Sequence, residues 1–144
     1  LFTQTTATDA FFGEKDFQQL QVVKRLARDL DLRIEVHGCP TIRDIDGLAL
    51  SSRNLLLSDR ARTHAPRLFE EMEQVAERLA AGEQFAELHA KAVDQLDKAG
   101  FTKIDYLDLR AADDLSPLET ATRPARLFAA AWLAGVRLID NIAV

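Results

Sequence analysis

Residues 10–38 read AFFGEKDFQQLQVVKRLARDLDLRIEVHG, and three changes of period within them decide the fold. Ala10-Phe11-Phe12 is a short apolar run stopped by Gly13, the pattern of a buried strand. Phe17, Leu20, Val23, Leu26, Ala27 and Leu30 then recur at three- and four-residue spacing, which predicts an amphipathic helix from Asp16 to Leu30. Leu32, Ile34 and Val36 alternate with Arg33, Glu35 and His37, the period of a strand. Strand, turn, helix and strand within about thirty residues make a βαβ unit, with parallel strands and a right-handed crossover.

Outward from that unit the pattern changes. The Thr-rich residues before Ala10 read as a loosely packed lead-in, and Gly38-Cys39-Pro40 ends the second strand. Residues 41–57 carry Asp-Gly, Ser-Ser and Arg-Asn without a long period, so they predict a loop with short turns. Ser58 is the expected N-cap of a helix whose apolar positions are Ala61, Ala65, Leu68, Phe69, Met72, Val75, Ala76 and Leu79. Pro66 should kink or restart it. After Gly82 a second helix holds Phe85, Leu88, Ala92, Val93 and Leu96, and Gly100 closes it. Strands follow at Ile104–Leu109, Arg126–Leu133 and Val136–Ile139, the last two around an Ala134-Gly135 hairpin turn. The chain therefore divides near residue 41, with the end of a parallel α/β layer before it and an α+β unit after it. Forty residues are too few for an independent α/β domain, so the rest of the sheet is expected upstream.

Composition narrows the functional classes. The chain has 144 residues, 18 Lys+Arg against 23 Asp+Glu, a net charge of −5, 47% apolar and 28% charged residues. That is a globular mix, and its acidic balance argues against general binding to nucleic acid or membrane surfaces. A single cysteine makes no internal disulfide. The longest small-and-apolar run, Leu127–Val136, is about half of what a membrane-spanning helix needs. The chain opens Leu1-Phe2-Thr3 without an initiator Met, so a piece of a longer protein is expected.

Two segments carry candidate chemistry. In Gly13-Glu14-Lys15-Asp16 a strand gives way to a helix, where open α/β sheets bind ligands. Free N–H groups at the helix start favour an anion, and Lys15 adds a positive charge. Asp16 could cap the helix or accept from a sugar hydroxyl, with Gln19 one turn on. Taken alone, a solvated helix start is the simpler reading. In Gly47-Leu48-Ala49-Leu50-Ser51-Ser52-Arg53-Asn54, two hydroxyls and a guanidinium suit phosphate oxygens, while a polar loop with local backbone bonds is the plainer alternative. Asp44 and Asp46 are weaker candidates for a metal, Asp46-Gly47 reading better as a turn. His37 and Cys39 lack a second Cys or His pair, which argues against zinc, and Cys39 reads as a small, partly buried residue. His64 and His89 read as surface or interface positions, residues Glu70–Arg78 as a solvated helix face and Trp132 as core.

Phe11–Leu20, Gly38–Arg43 and Asp46–Asn54, with Asp105–Arg110 and Arg137–Asn141, together resemble the pantothenate synthetase (pantoate–β-alanine ligase) family in order and spacing over nearly all of residues 10–144. The resemblance implies a ligase of the nucleotidylyltransferase superfamily. Residues 1–41 would be the last βαβ part of a Rossmann-like nucleotide-binding domain. Residues 42–144 would be a small α+β closing domain with two helices and a three-stranded antiparallel sheet. It also implies that the pantoate carboxylate attacks ATP to give pantoyl adenylate and pyrophosphate, and that β-alanine then displaces AMP. Carried over residue by residue, Gly13, Glu14, Lys15 and Asp16 would lie along ATP, and Ile42 would contact its adenine side. Leu50, Ser51, Ser52 and Arg53 would bind phosphates, and Gln19 would hold pantoate. Lys15 and Arg53 would stabilise the charge that develops during adenylate formation. ATP would be a substrate accompanied by Mg²⁺, with no prosthetic group, nucleic acid or membrane involved. The parent enzyme would be a cytoplasmic homodimer.

The family's upstream His-x-Gly-His signature is missing, and His37, His64 and His89 match none of its histidines. The Thr3–Asp9 lead-in departs from the Pro-Asp pair usual in the family, and Cys39 stands where many relatives carry an aliphatic residue. The expectation is a C-terminal portion with little or no ligase activity by itself. The alternatives are a non-catalytic interaction module on the same scaffold and a related nucleotidyltransferase.

Overall fold

The structure, a computed structural model, describes residues 2–144. The architecture is mixed α/β, a parallel two-stranded sheet followed by helices and a three-stranded antiparallel sheet. The chain forms two compact units, one ending at Thr41 and the other running from Ile42 to Val144. Among the described residues no helix is long and apolar enough to cross a membrane.

The first unit opens with a short exposed helix, α1 (Phe2–Thr5), then β1 (Asp9–Gly13), a 3₁₀ turn (Glu14–Asp16), α2 (Phe17–Asp29) and β2 (Glu35–Cys39). The two strands pair in parallel from Asp9↔Glu35 to Gly13↔Cys39, so their carboxyl ends lie side by side. The apolar face of α2 buries Phe17, Leu20 and Ala27, as its spacing predicts, while Leu26 and Leu30 stay exposed. β1 is not fully buried. Phe11 is 69% exposed and stacks on His37 at 4.8 Å, whereas Phe12 meets the Phe2 ring edge-on.

β2 starts three residues later than the alternation at Leu32 predicts, and the cause is the end of α2. Asp31 takes a positive φ of 48°, its amide bonds Arg28 O, and the Leu32 amide bonds Ala27 O at 2.9 Å. These are the two bonds of a Schellman cap, with aspartate in the left-handed position. They take Leu32 for the helix terminus, and pairing begins only at Glu35.

In the second unit Ser58 accepts from the Ala61 amide at 3.3 Å and starts α3 (Asp59–His64). Pro66 breaks the helix there, and α4 (Arg67–Ala80) begins afresh. α4 buries Leu68, Met72, Val75 and Leu79, and α5 (Phe85–Lys98) buries Leu88, Ala92 and Leu96. Both cover one face of an antiparallel sheet in the order β3 (Phe101–Ala111), β4 (Ala125–Leu133), β5 (Val136–Ala143). That face presents Leu107, Leu109, Leu127, Ala129, Ala131, Leu133 and Leu138 to the core. The strands run longer than their apolar cores predict, because backbone pairing continues past the last apolar residue; β3 also carries register shifts near Phe101 and Ile104. Ala134 (φ 49°) and Gly135 (φ 79°) both take the left-handed region, the requirement of a type I′ hairpin between Leu133 and Val136.

Two expectations for side chains are corrected. Glu71 lies within the helix face predicted to be solvated, yet it is 5% exposed and bonded by Arg67 at 2.7 Å. Burial raises its carboxyl pKa. Trp132 is half-buried on the sheet face away from the core, and its indole N–H donates to Asp105 at 3.1 Å. Arg137 (2.6 Å) and Lys103 (2.8 Å) also converge on Asp105, so one carboxylate links all three strands. Hydrogen bonding by Arg137, then Lys103, holds the Asp105 pKa far below its ordinary 3.8. A carboxyl depressed in the folded state contributes stability above its unfolded pKa and loses it as pH falls toward the folded value. Asp105→Asn is therefore expected to lower the thermal midpoint at pH 7, with the gap from the unsubstituted chain closing as the pH is taken below 3.8. Unfolding scans at pH 7 and pH 3 check this.

Candidate functional site

At the carboxyl end of β1, Gly13 is extended (φ −66°, ψ 133°), and a Cβ there would meet nothing within 4 Å. The chain then tightens into the Glu14–Asp16 turn and enters α2. Neighbouring Gly38 explains how the turn is held. A Cβ at Gly38 would lie 3.0 Å from both Glu14 Oε1 and Leu20 Cδ2, so the missing side chain lets Glu14 and Leu20 rest on β2. Lys15 is half-buried, and Asp16 and Gln19 are exposed one helical turn apart. Asp16 makes no capping bond to α2, so of its two expected uses the local one is not taken up.

The opposite end of the same strands carries a different group. His37 Nε2 lies 2.8 Å from Asp9 Oδ1, its Nδ1 lies 3.9 Å from Glu35 Oε1, and the three residues bring ligand-type atoms within 4.8 Å of one another. The hydrogen bond with His37, then that from Thr8, lowers the Asp9 pKa. The ring stacked on Phe11 and bonded to Asp9 ties β2 to β1. Cys39 is a free, half-buried thiol. An apolar groove lined by Phe2, Thr6, Leu32 and Ile34 also lies in this unit and contains none of the expected site residues.

The second unit presents the 42–57 loop. Backbone bonds from Asp44 N to Leu48 O and from Leu50 N to Ile42 O, both 2.9 Å, fold residues 42–50 back on themselves. Leu48 and Ala49 are buried beneath the loop. Gly47 takes φ +87°, and a Cβ there would fall 2.4 Å from Phe69 Cδ1. Ser51 then accepts from the Arg53 amide at 3.2 Å and caps a 3₁₀ turn, Ser52–Leu56. Asn54 Nδ2 donates to Ala49 O at 3.1 Å, while its buried Oδ1 has no partner among the described residues.

Ile42, Leu50, Ser51, Ser52 and Arg53 thus occupy one folded loop. Ile42 and Leu50 are joined across it, and Ser52 and Arg53 face solvent. Asp44 and Asp46 are engaged with an arginine in this structure. Arg62 takes both, at 2.7 and 2.5 Å, because its planar guanidinium fits two adjacent carboxylates. Its hydrogen bond lowers the Asp46 pKa, and Asp46 raises that of Arg62. The expected turn at Asp46-Gly47 is present.

Three residues of the site, Arg43, Phe69 and Asp140, escaped the sequence reading. Arg43 donates to Asp140 through Nη1 (2.5 Å) and Nη2 (2.9 Å), and its guanidinium carbon lies 3.9 Å above the Phe69 ring. Partners 97 residues apart leave no periodic signal; the presence of both in segments quoted for the family resemblance was the available hint. Most arginines of the second unit are paired. Arg43, Arg62, Arg67, Arg78, Arg110, Arg123 and Arg137 each have a carboxylate partner. Arg53 has none among the described residues, and neither do Arg33 and Arg60. An exposed fork of N–H donors beside two hydroxyls is suited to an anion.

The pantoate-beta-alanine ligase family model matches residues 1–143. A pantothenate synthetase of Roseobacter denitrificans is 67% identical over the whole chain and 51% of its own length, and one of Ruegeria sp. (strain TM1040) is 59% identical with the same coverage. A pantothenate synthetase structure from Thermus thermophilus superposes with a TM-score of 0.89 at 40% identity, covering 98% of this chain and 51% of that one. A Francisella tularensis pantoate-beta-alanine ligase, complexed with beta-gamma ATP and beta-alanine, gives 0.72 at 28% identity over 98% of this chain and 45% of its own. The chain spans about half the length of the curated relatives it matches.

The two site glycines predict opposite outcomes. Gly47→Ala places a methyl group against Phe69 in a left-handed backbone, and is expected to cost about 1–3 kcal/mol. Gly13→Ala meets open space and should stay within about 0.5 kcal/mol. Denaturant unfolding of the two variants tests the difference.

Proposed function

The chain belongs to the pantoate-beta-alanine ligase family, and we propose that it carries part of the machinery that joins pantoate to β-alanine with ATP as the activating substrate. In this reading residues 1–41 are the last βαβ part of a Rossmann-like nucleotide-binding domain, and residues 42–144 are a C-terminal closing domain. A pantoate carboxylate oxygen bonds to the α-phosphorus of ATP, the bond from that phosphorus to the bridging oxygen breaks, and pyrophosphate leaves. The β-alanine amine then attacks the acyl carbon of pantoyl adenylate. AMP departs with the electron pair of the broken C–O bond, and the nitrogen loses its proton as the amide forms. The first nucleophile is already an anion, so that step needs no general base.

What the protein must supply is stabilisation of charge on the α-phosphate and the leaving pyrophosphate. The observation that carries this reading is Arg53, exposed on a capped turn beside Ser51 and Ser52 with no carboxylate partner among the described residues. Arg53, with Leu50, Ser51 and Ser52, is assigned to phosphates, and Ile42 to the adenine side. Gly13, Glu14, Lys15 and Asp16 are assigned along the nucleotide, with Lys15 as the second charge stabiliser, and Gln19 to pantoate. Magnesium enters with the nucleotide as MgATP. Arg62 holds the nearby Asp44 and Asp46, which is consistent with phosphate oxygens and water as its ligands. The same reading makes the enzyme a cytoplasmic homodimer.

In the natural full-length protein, Arg53→Ala is expected to lower kcat/KM for pantoate-dependent ATP–pyrophosphate exchange by about 100- to 1,000-fold. Arg53→Lys should recover only part of this, since an ammonium lacks the bidentate fork. Exchange by Arg53→Ala at the unsubstituted rate would overturn the assignment.

A further inference from the structure

We propose that Arg43 is a positioning residue for adenylate formation, fixing through Asp140 and Phe69 the loop that presents Ser51, Ser52 and Arg53 to phosphate. The proposal rests on the ligase reading above and adds to it a residue that touches no substrate. Arg43 is poorly placed to bind an anion itself. Its terminal nitrogens face the Asp140 carboxylate, Nη1 also donates to Gly47 O at 3.1 Å, and one face of the guanidinium lies on Phe69. The Arg43 side chain is 20% exposed and that of Asp140 4% exposed. A pair so neutralised and enclosed acts on geometry.

Each contact passes that geometry toward the phosphate-facing turn. Asp140 is held by its place in β5, and its Oδ1 also accepts from the Asn141 amide at 2.8 Å. Arg43 transfers the fixed position to Gly47, whose backbone already lies too close to Phe69 for a side chain. The Asp44–Leu48 and Ile42–Leu50 backbone bonds carry it to Leu50, and the Asn54–Ala49 bond carries it into the 3₁₀ turn bearing Ser52 and Arg53. Lysine at position 43 would keep the positive charge but lose the two-pronged contact, freeing the loop to shift by a fraction of its own width.

The test separates the two half-reactions in the natural full-length protein. Pantoate-dependent ATP–pyrophosphate exchange reports adenylate formation, and single-turnover consumption of chemically prepared pantoyl adenylate by β-alanine reports the second step. Arg43→Lys is expected to reduce kcat for exchange by about 100-fold while changing adenylate consumption less than about threefold. Loss of folded protein alone would lower both by one common factor, and that result, or two unchanged half-reactions, would overturn the proposal. Should Arg43→Lys fail to fold, Phe69→Leu, which removes only the ring beneath the guanidinium, is judged by the same split. Absence of pantoate-dependent exchange in the unsubstituted protein would instead overturn the ligase reading, and this proposal with it.

Discussion

A guanidinium and a carboxylate brought together from opposite ends of the second unit, Arg43 and Asp140, hold the loop that the proposed chemistry depends on. Backbone bonds within the loop, the Asn54–Ala49 bond and the Arg62 bridge hold it locally, while the Arg43–Asp140 pair ties it to β5. Leu48 and Ala49 are buried, but Ile42, Ile45, Leu50, Leu55 and Leu56 are exposed, so apolar burial does not dictate one conformation. A pair of this kind adds little net stability compared with apolar packing, because both ions lose their hydration; breaking it by removing one partner costs about 3–5 kcal/mol. Its effect is to select one loop geometry among many. Arg62 repeats the principle closer to solvent by gathering Asp44 and Asp46. With those carboxylates engaged, Arg53 is an exposed cation on a capped turn with no carboxylate partner among the described residues.

The first unit works by different means. Two parallel strands bring their carboxyl ends together at Gly13 and Cys39, and the absence of a side chain at Gly38 seats Glu14 and Leu20 against β2. Gly13 itself is open, leaving backbone accessible beside a helix start whose N–H groups favour negative charge. Asp16, which does not cap that helix, leaves its carboxylate exposed. One unit thus offers backbone donors, while the other offers a guanidinium and hydroxyls on a clamped turn.

Much of this was legible because local periods and local chemistry agree. Leu68, Met72, Val75 and Leu79 mark a helix face from their spacing, Ser58 and Pro66 mark where helices begin, and Ala134-Gly135 marks the hairpin. The failures arise where distant residues compete with a local pattern. Leu32 alternates like a strand residue but is taken by the helix cap through Ala27. Trp132 looks like core, yet its place in the strand alternation puts it opposite the core, where Asp105 accepts its N–H. Glu71 looks solvated until Arg67 and the fold bury it. The Ser51–Arg53 segment was legible as a polar turn whose residue types suit an anion, whereas the pairing of Arg43 with Asp140 was not legible, because no pattern along a chain reports which charge meets which across 97 residues.

If the loop proposed to bind phosphate is clamped by Arg43 and Asp140, it is ordered before nucleotide arrives, and amide hydrogen exchange on the nucleotide-free protein tests this most directly. The amides of Asp44, Gly47 and Leu50 each donate within the loop. They are predicted to exchange at least about 100-fold more slowly than in an unstructured peptide. Exchange at unstructured rates, with β4 and β5 still protected, would contradict the account.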